Sequence, residues 1–184
     1  MPPVVVIIGR TNVGKSTLFN RLIARRLAIV DALPGVTRDR MYAEARRPFG
    51  RFDVVDTGGW DQADPEMRQL VDEQRQLALA EADLVLFVVD AAEGPLPEDV
   101  EIAAELRRLG RPLILVVNKA DDEKLELGAA DFYSLGLDAP VIAIAAKGRR
   151  NLSRLLAAVG ERVTDMIFKT EELPPSPVSY THLR

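Results

Sequence analysis

The chain has no cysteine, which excludes disulfides, thiolate metal centres and cysteine nucleophiles and suits a reducing compartment. Histidine is nearly absent too. The single one, His182, stands in the stretch 178–184, which has no apolar periodicity, and this argues against histidine catalysis. Positive charge is not in excess: 24 Lys and Arg face 28 Asp and Glu, a formal net charge of −4. A broad grip on nucleic-acid phosphates is therefore not expected, and no DNA partner is, although a localised RNA contact stays open. Long hydrophobic runs are also missing. Residues 4–8 and 84–89 are too short to span a bilayer, and Met1-Pro2-Pro3 lacks the charged leader of a signal peptide. The expectation is a soluble, cytoplasmic protein with no membrane partner. Internal repeats and low-complexity tracts are not visible.

What is present suffices for one domain with a substantial core, since 47% of the 184 residues are hydrophobic. Apolar runs rich in β-branched residues recur at 4–8, 52–55, 84–89, 113–117 and 141–144 and read as buried strands. Between them lie segments with helical spacing: Leu18/Leu22/Ile23, Leu70/Leu77/Ala80/Ala82, Ile102/Leu106/Leu109 and Leu152/Leu155/Leu156/Val159/Val163. In the third, Asp99 and Glu101 stand near one end and Arg107 and Arg108 near the other, as a helix dipole favours. The alternation predicts an α/β fold, a mostly parallel sheet of about six strands with helices on both faces. Residues 41–47 alternate apolar and charged ahead of Pro48-Phe49-Gly50 and read as an edge strand in a hairpin, the one antiparallel part. The domain is taken as 1–168. From Lys169 the composition turns to that of a Pro-rich linker and tail, 169–184.

The first apolar run leads into Gly9-Arg10-Thr11-Asn12-Val13-Gly14-Lys15-Ser16-Thr17, which fits the spacing G-x-x-x-x-G-K-S/T. The glycines permit a tight loop with inward N–H groups, Lys15 supplies a cation for terminal phosphates and Ser16 a hydroxyl for Mg²⁺. Further polar or small-residue loops follow other strands, where a parallel sheet places ligands. Asp56-Thr57-Gly58-Gly59 comes after the second run, with Asp56 placed to organise Mg²⁺ and the Gly59 N–H to sense the terminal phosphate. Thr37, in the connection after the first helix, is expected to complete the Mg²⁺ shell while the triphosphate is bound. Asn118-Lys119-Ala120-Asp121 reads the base: a carboxylate accepts two parallel N–H bonds from guanine that adenine does not offer, so Asp121 selects GTP over ATP. Ala145-Ala146-Lys147 closes the set.

These elements together resemble the Era/Der/MnmE group of bacterial P-loop GTPases, and within it the first GTPase domain of the Der branch. The resemblance runs from residue 4 to about residue 164 and includes residues 34–40 and 89–99. It implies a GTPase fold, GTP and GDP as ligands, and Lys15, Thr37 and Gly59 as the groups acting on the transferred phosphate. It further implies assembly of the large ribosomal subunit as the task of the full-length protein, which has two tandem GTPase domains and a KH-like domain. Residues 178–184 do not resemble the start of a second such domain and read as a truncated or foreign end. Trp60 stands where Ras-type proteins carry the glutamine that orients water, and an indole cannot do this, so slow basal hydrolysis is expected. A module with negligible turnover on its own fits Trp60 equally. In related GTPases the residue matching Asn12 ligates K⁺, which implies that Asn12 does so here; Arg10 and Arg38 are weaker candidates for charge stabilisation. Thr11 replaces the family's common proline and Ala145 its serine. Ala146 N–H is expected to meet the guanine carbonyl, and residues 147–151 lack a second expected glycine.

Overall fold

Alternate side chains of a strand face opposite ways, so a strand apolar at every position requires cover on both sides. The computed structural model, which describes residues 1–23, 41–57 and 68–171, supplies that cover. In chain order the elements are β1 (Val4–Ile8), α1 (Lys15–Ile23), β2 (Met41–Arg47), β3 (Gly50–Asp56), α2 (Arg68–Glu81), β4 (Leu84–Asp90), α3 (Pro97–Leu109), β5 (Leu113–Asn118), α4 (Glu123–Leu127), a 3₁₀ helix (Gly128–Leu135), β6 (Val141–Ala143) and α5 (Leu152–Glu171). The sheet runs β2-β3-β1-β4-β5-β6. All neighbours are parallel except the β2–β3 hairpin, which pairs from Met41↔Asp56 to Arg47↔Gly50. The predicted α/β architecture and its antiparallel edge are both observed.

One face of the sheet presents Val5, Ile7, Leu84, Leu86, Val88, Ile114 and Val116 to Leu18, Phe19 and Leu22 of α1 and to Leu155, Val159 and Val163 of α5. The opposite face presents Val6, Ile8, Val85, Phe87, Val89, Leu115 and Val117 to Ala78 and Leu79 of α2 and to Ala103 and Leu106 of α3. Burying each larger aliphatic or aromatic side chain contributes roughly 1.5–3 kcal/mol. The five mutually parallel strands thus end at one edge, where the loops after β1, β3, β4, β5 and β6 gather.

Three elements differ from expectation. Helix α2 buries Ala78 and Leu79 and leaves the expected Leu77 and Ala80 exposed, so its inner face lies a step away from the one the sequence suggests, while Ala82, just past its end, is buried as expected. The segment between β5 and β6, which carries no clear helical spacing, forms α4 and the 3₁₀ helix. Its buried residues Ala129, Phe132 and Leu135 recur at intervals of three, the period of a 3₁₀ rather than an α-helix. Helix α5 continues through Glu171, past the start of the expected linker. Among the described residues no helix is long and apolar enough to cross a membrane.

The hairpin turn is fastened to α5. Phe49 packs over Gly160, where an added Cβ would lie 2.9 Å from the ring's Cδ1, and the Thr164 hydroxyl donates to Phe49 O at 3.4 Å. Gly160→Ala is expected to destabilise the fold by about 1 kcal/mol, the overpacking exceeding the gain in helix propensity. Urea unfolding checks this, and in a Phe49→Ala background the same change should become stabilising.

Candidate nucleotide-binding site

The loop between β1 and α1 is shaped by positions that exclude larger residues. A Cβ on Gly9 would lie 2.2 Å from Val88 O, and one on Gly14, at φ +100°, would lie 2.2 Å from Asn118 Nδ2. Asn12 adopts φ +65°, which asparagine tolerates better than most residues. Lys15 opens α1 and is 4% exposed; its Nζ donates to Gly9 O at 2.7 Å and Arg10 O at 2.6 Å. The loop's own carbonyls hold this cation at the helix N-terminus. Ser16 and Thr17 are exposed in the first turn, as are Thr11 and Asn12 in the loop.

Asn118 ends β5 and is 3% exposed. Its Nδ2 donates to Val13 O at 2.8 Å, and its Oδ1 accepts from Ala146 N–H at 3.0 Å. One amide therefore ties the phosphate loop to the loop after β6. Ala146 N–H, expected to meet the guanine carbonyl, is already donated to Asn118, so a base would have to share it. Arg21 at the end of α1 donates through Nε to Ala146 O and through Nη2 to Lys147 O, both at 2.9 Å. Ala145 is 2% exposed and its N–H donates to Arg150 O at 3.1 Å. The loop's path is thus set by backbone bonds and Arg21, without the serine hydroxyl that the resemblance leads one to expect.

The expected second glycine has a substitute. Arg149 and Asn151 adopt φ +63° and +54°, the left-handed region glycine would serve. Glu126 of α4 accepts from Arg150 Nη2 at 2.8 Å and from Asn151 Nδ2 at 2.9 Å, and Asn151 also donates to Ala143 O at 3.2 Å. These bonds hold the Glu126 carboxyl below its ordinary value, the hydrogen bond from Arg150 first among the causes.

Lys119 adopts φ +63°, and its Nζ lies 2.6 Å from Asp90 Oδ2 at the end of β4. Asp121 N–H donates to Lys119 O at 2.9 Å, and Ala120 N–H to Ile144 O at 2.9 Å. Asp121 is exposed beside these anchors. Asp56 is 3% exposed at the end of β3 and pairs in register with Ile7. Thr57, expected at the ligand, turns its hydroxyl to Ile7 O at 2.8 Å, which fastens β3 to β1.

Arg10, a weaker candidate for charge stabilisation, is paired within the protein. Its guanidinium donates to Glu93 at 2.6 Å and to Asp99 at 3.0 Å, so it faces the start of α3 rather than acting as a free phosphate ligand. Burial lowers the Arg10 pKa, but Glu93 and Asp99 outweigh this and hold it above its ordinary value. Burial pushes the Asp99 carboxyl up against the pull of Leu96 N–H and Arg10. Asp90, Asp99, Arg21 and Glu126 are side chains that tie these loops together and that motif reasoning did not place at the site. Only the inclusion of residues 89–99 in the family resemblance pointed toward the first two. Thr37, Arg38, Gly58, Gly59 and Trp60 lie outside the described residues.

Residues 4–119 match the family model described as "50S ribosome-binding GTPase". Curated relatives named GTPase Der include those of Geotalea daltonii, 48% identical over 86% of this chain, and of Desulforudis audaxviator, 52% identical over 85%. The chain spans 36% of the length of each. Among solved structures, Era in complex with MgGDPNP and nucleotides 1506–1542 of 16S ribosomal RNA superposes with a TM-score of 0.72 at 30% identity, covering 87% of this chain and 56% of that one. Aquifex aeolicus Era Y63A bound to GDP.AlF4⁻ gives 0.72 at 27% identity, covering 94% and 57%.

Two substitutions probe this framework. Asn118→Ala leaves Val13 O and Ala146 N–H without their buried partner and is expected to lower stability by about 2–3 kcal/mol in urea unfolding. Arg149→Gly relieves the left-handed strain and is expected to raise stability by about 0.5–1 kcal/mol in the same measurement.

Proposed function

The chain belongs to the family of 50S ribosome-binding GTPases, and from that premise we propose that it binds GTP and GDP with Mg²⁺. On this reading it hydrolyses GTP slowly to GDP and phosphate, and it switches conformation to serve assembly of the large ribosomal subunit. The observation that carries the reading is the Asn118 amide. It sets the phosphate loop, through Val13, and the base-side loop, through Ala146, on one strand end. A ligand with a base at one end and phosphates at the other is what such a pair of loops suits. The relatives named GTPase Der and the Era structures with bound guanine nucleotides support it.

The chemistry follows from the chain's own groups. Phosphates would lie on the N–H groups of residues 9–17, with the α1 dipole behind them. Lys15, fixed by two carbonyls, places a point charge where negative charge grows on the transferred phosphate. Ser16 and Asp56 offer hard oxygen donors on adjacent elements, which fits Mg²⁺, and Thr37 is proposed as the third. When bound, the metal neutralises charge on the phosphate oxygens. Asn12 is the proposed K⁺ ligand. Asp121 would accept guanine N1–H and the 2-amino group, and with adenine it would be left unmatched. With Trp60 in place of a water-orienting glutamine, turnover rests on positioning and electrostatics, hence its slowness.

Single-turnover GTP hydrolysis in KCl and NaCl, with and without large ribosomal subunits, tests this reading. Lys15→Ala is expected to slow phosphate release by about 10²–10³-fold, and KCl should exceed NaCl only while Asn12 is intact. Asp121→Asn should move preference from guanine to xanthine nucleotides. Phosphate release no faster than in Lys15→Ala, even with K⁺ and ribosomal subunits, would favour a nucleotide-gated binding module instead. Displacement of bound GDP by ATP as readily as by GTP would overturn the guanine assignment.

A further inference from the structure

We propose that the β4–α3 connection, residues 90–99, is a two-armed brace: Asp90 positions the guanine-reading loop through Lys119, and Asp99 positions the phosphate loop through Arg10. This rests on the guanine-nucleotide reading above and adds the residues that align it.

Both carboxylates are buried, with side-chain exposures of 4% for Asp90 and 0% for Asp99. An ionised carboxylate at such positions needs both oxygens matched. The two are built alike. Asp90 Oδ1 accepts Ala92 N–H at 2.9 Å while Oδ2 takes Lys119 Nζ at 2.6 Å. Asp99 Oδ2 accepts Leu96 N–H at 3.0 Å, capping α3, while Oδ1 takes Arg10 Nε at 3.0 Å. In each case one oxygen fixes the connection's own backbone, and the other holds a cation from a nucleotide loop on a different element.

Each grip transmits to the ligand side of its loop. Lys119 sits in a left-handed conformation that it does not favour, and its carbonyl receives Asp121 N–H; an untethered Lys119 would relax and carry the Asp121 carboxylate out of line. Arg10 contributes one of the carbonyls that hold Lys15 Nζ, so its guanidinium, fixed on Asp99 and on Glu93 at 2.6 Å, sets where that carbonyl stands. The first arm therefore governs base recognition and the second governs phosphate grip.

The two arms separate in an experiment with GDP and with IDP, which lacks the 2-amino group, titrated against the full 184-residue chain by calorimetry. Asp90→Asn keeps an acceptor for Ala92 N–H but gives up the charge on Lys119. It is expected to reduce the preference for GDP over IDP about fivefold, with Lys119→Gln in combination adding little further. Arg10→Gln is expected to weaken both nucleotides alike, about tenfold, with the preference intact. Glu93→Gln, on the exposed end of the second arm, should do the same to a smaller extent and serves if Arg10→Gln does not fold. General loss of stability would weaken GDP and IDP equally in every variant, so an unchanged preference in Asp90→Asn overturns the first arm. A changed preference, undiminished affinity, or a loss of affinity fully accounted for by a lowered urea-unfolding midpoint, in the Arg10 and Glu93 variants overturns the second. Failure of the unaltered chain to bind GDP would sink the guanine-nucleotide reading itself, and the brace with it.

Discussion

The site depends on one side-chain amide. Asn118 must donate on one side, to Val13 O, and accept on the other, from Ala146 N–H, and asparagine has both functions within one short, rigid group. An aspartate would lack the donor, and a glutamine would place the amide a methylene too far. The amide also dictates its neighbour. Its Nδ2 occupies the space where a Cβ at position 14 would stand, so the glycine before Lys15 is required by Asn118 as much as by any ligand. The phosphate loop and the base-reading strand end are therefore parts of one packed unit.

That unit exists because the sheet delivers it. Strands β1, β3, β4, β5 and β6 run the same way, which brings their C-terminal ends to a single edge. The Asp90↔Asn118 register pair sets the last residues of β4 and β5 side by side, and Ala91 N–H closes on Asn118 O at 2.8 Å. Burial of both faces fixes this register, since a slip by one residue would exchange the side chains facing α1 and α5 for those facing α2 and α3. Core packing thus sets the positions of the polar groups to within the tolerance a hydrogen bond allows.

What could be read from the sequence follows from these causes. The strands were legible because burial on both faces makes them continuously apolar, and the phosphate loop because its glycines answer to backbone geometry. The role proposed for Asp121 rests on its spacing from Asn118. The face of α2 was not, since the run Leu77-Ala78-Leu79-Ala80 is apolar on every side and only packing chooses among its rotations. Residues 128–135 escaped because their buried positions follow a period of three. The ion pairs of Arg10 were not legible because loop sequence alone does not say which way a long cationic side chain turns. Its partners lie 83 and 89 residues away. The glycine-like roles of Arg149 and Asn151 escaped for a related reason: a positive φ in a non-glycine residue is set by its surroundings, here by the bonds that Arg150 and Asn151 make to Glu126 and Ala143.

The Arg10–Asp99 pair also says what such bonds are for. A carboxyl held above its unfolded value favours its protonated form in the fold. The stability tied to it is fully present below the unfolded value and is lost as pH rises through the folded one. Burial holds Asp99 in that condition despite Arg10 and the Leu96 N–H. Arg10 shifts the favourable way because it has a second carboxylate, Glu93, as well as Asp99. An apolar pair of similar volume would serve stability as well or better. It could not orient the backbone at both of its ends, as the carboxylate does by capping α3 with one oxygen and holding the phosphate loop with the other. The pair is thus accounted for by geometry rather than by stability.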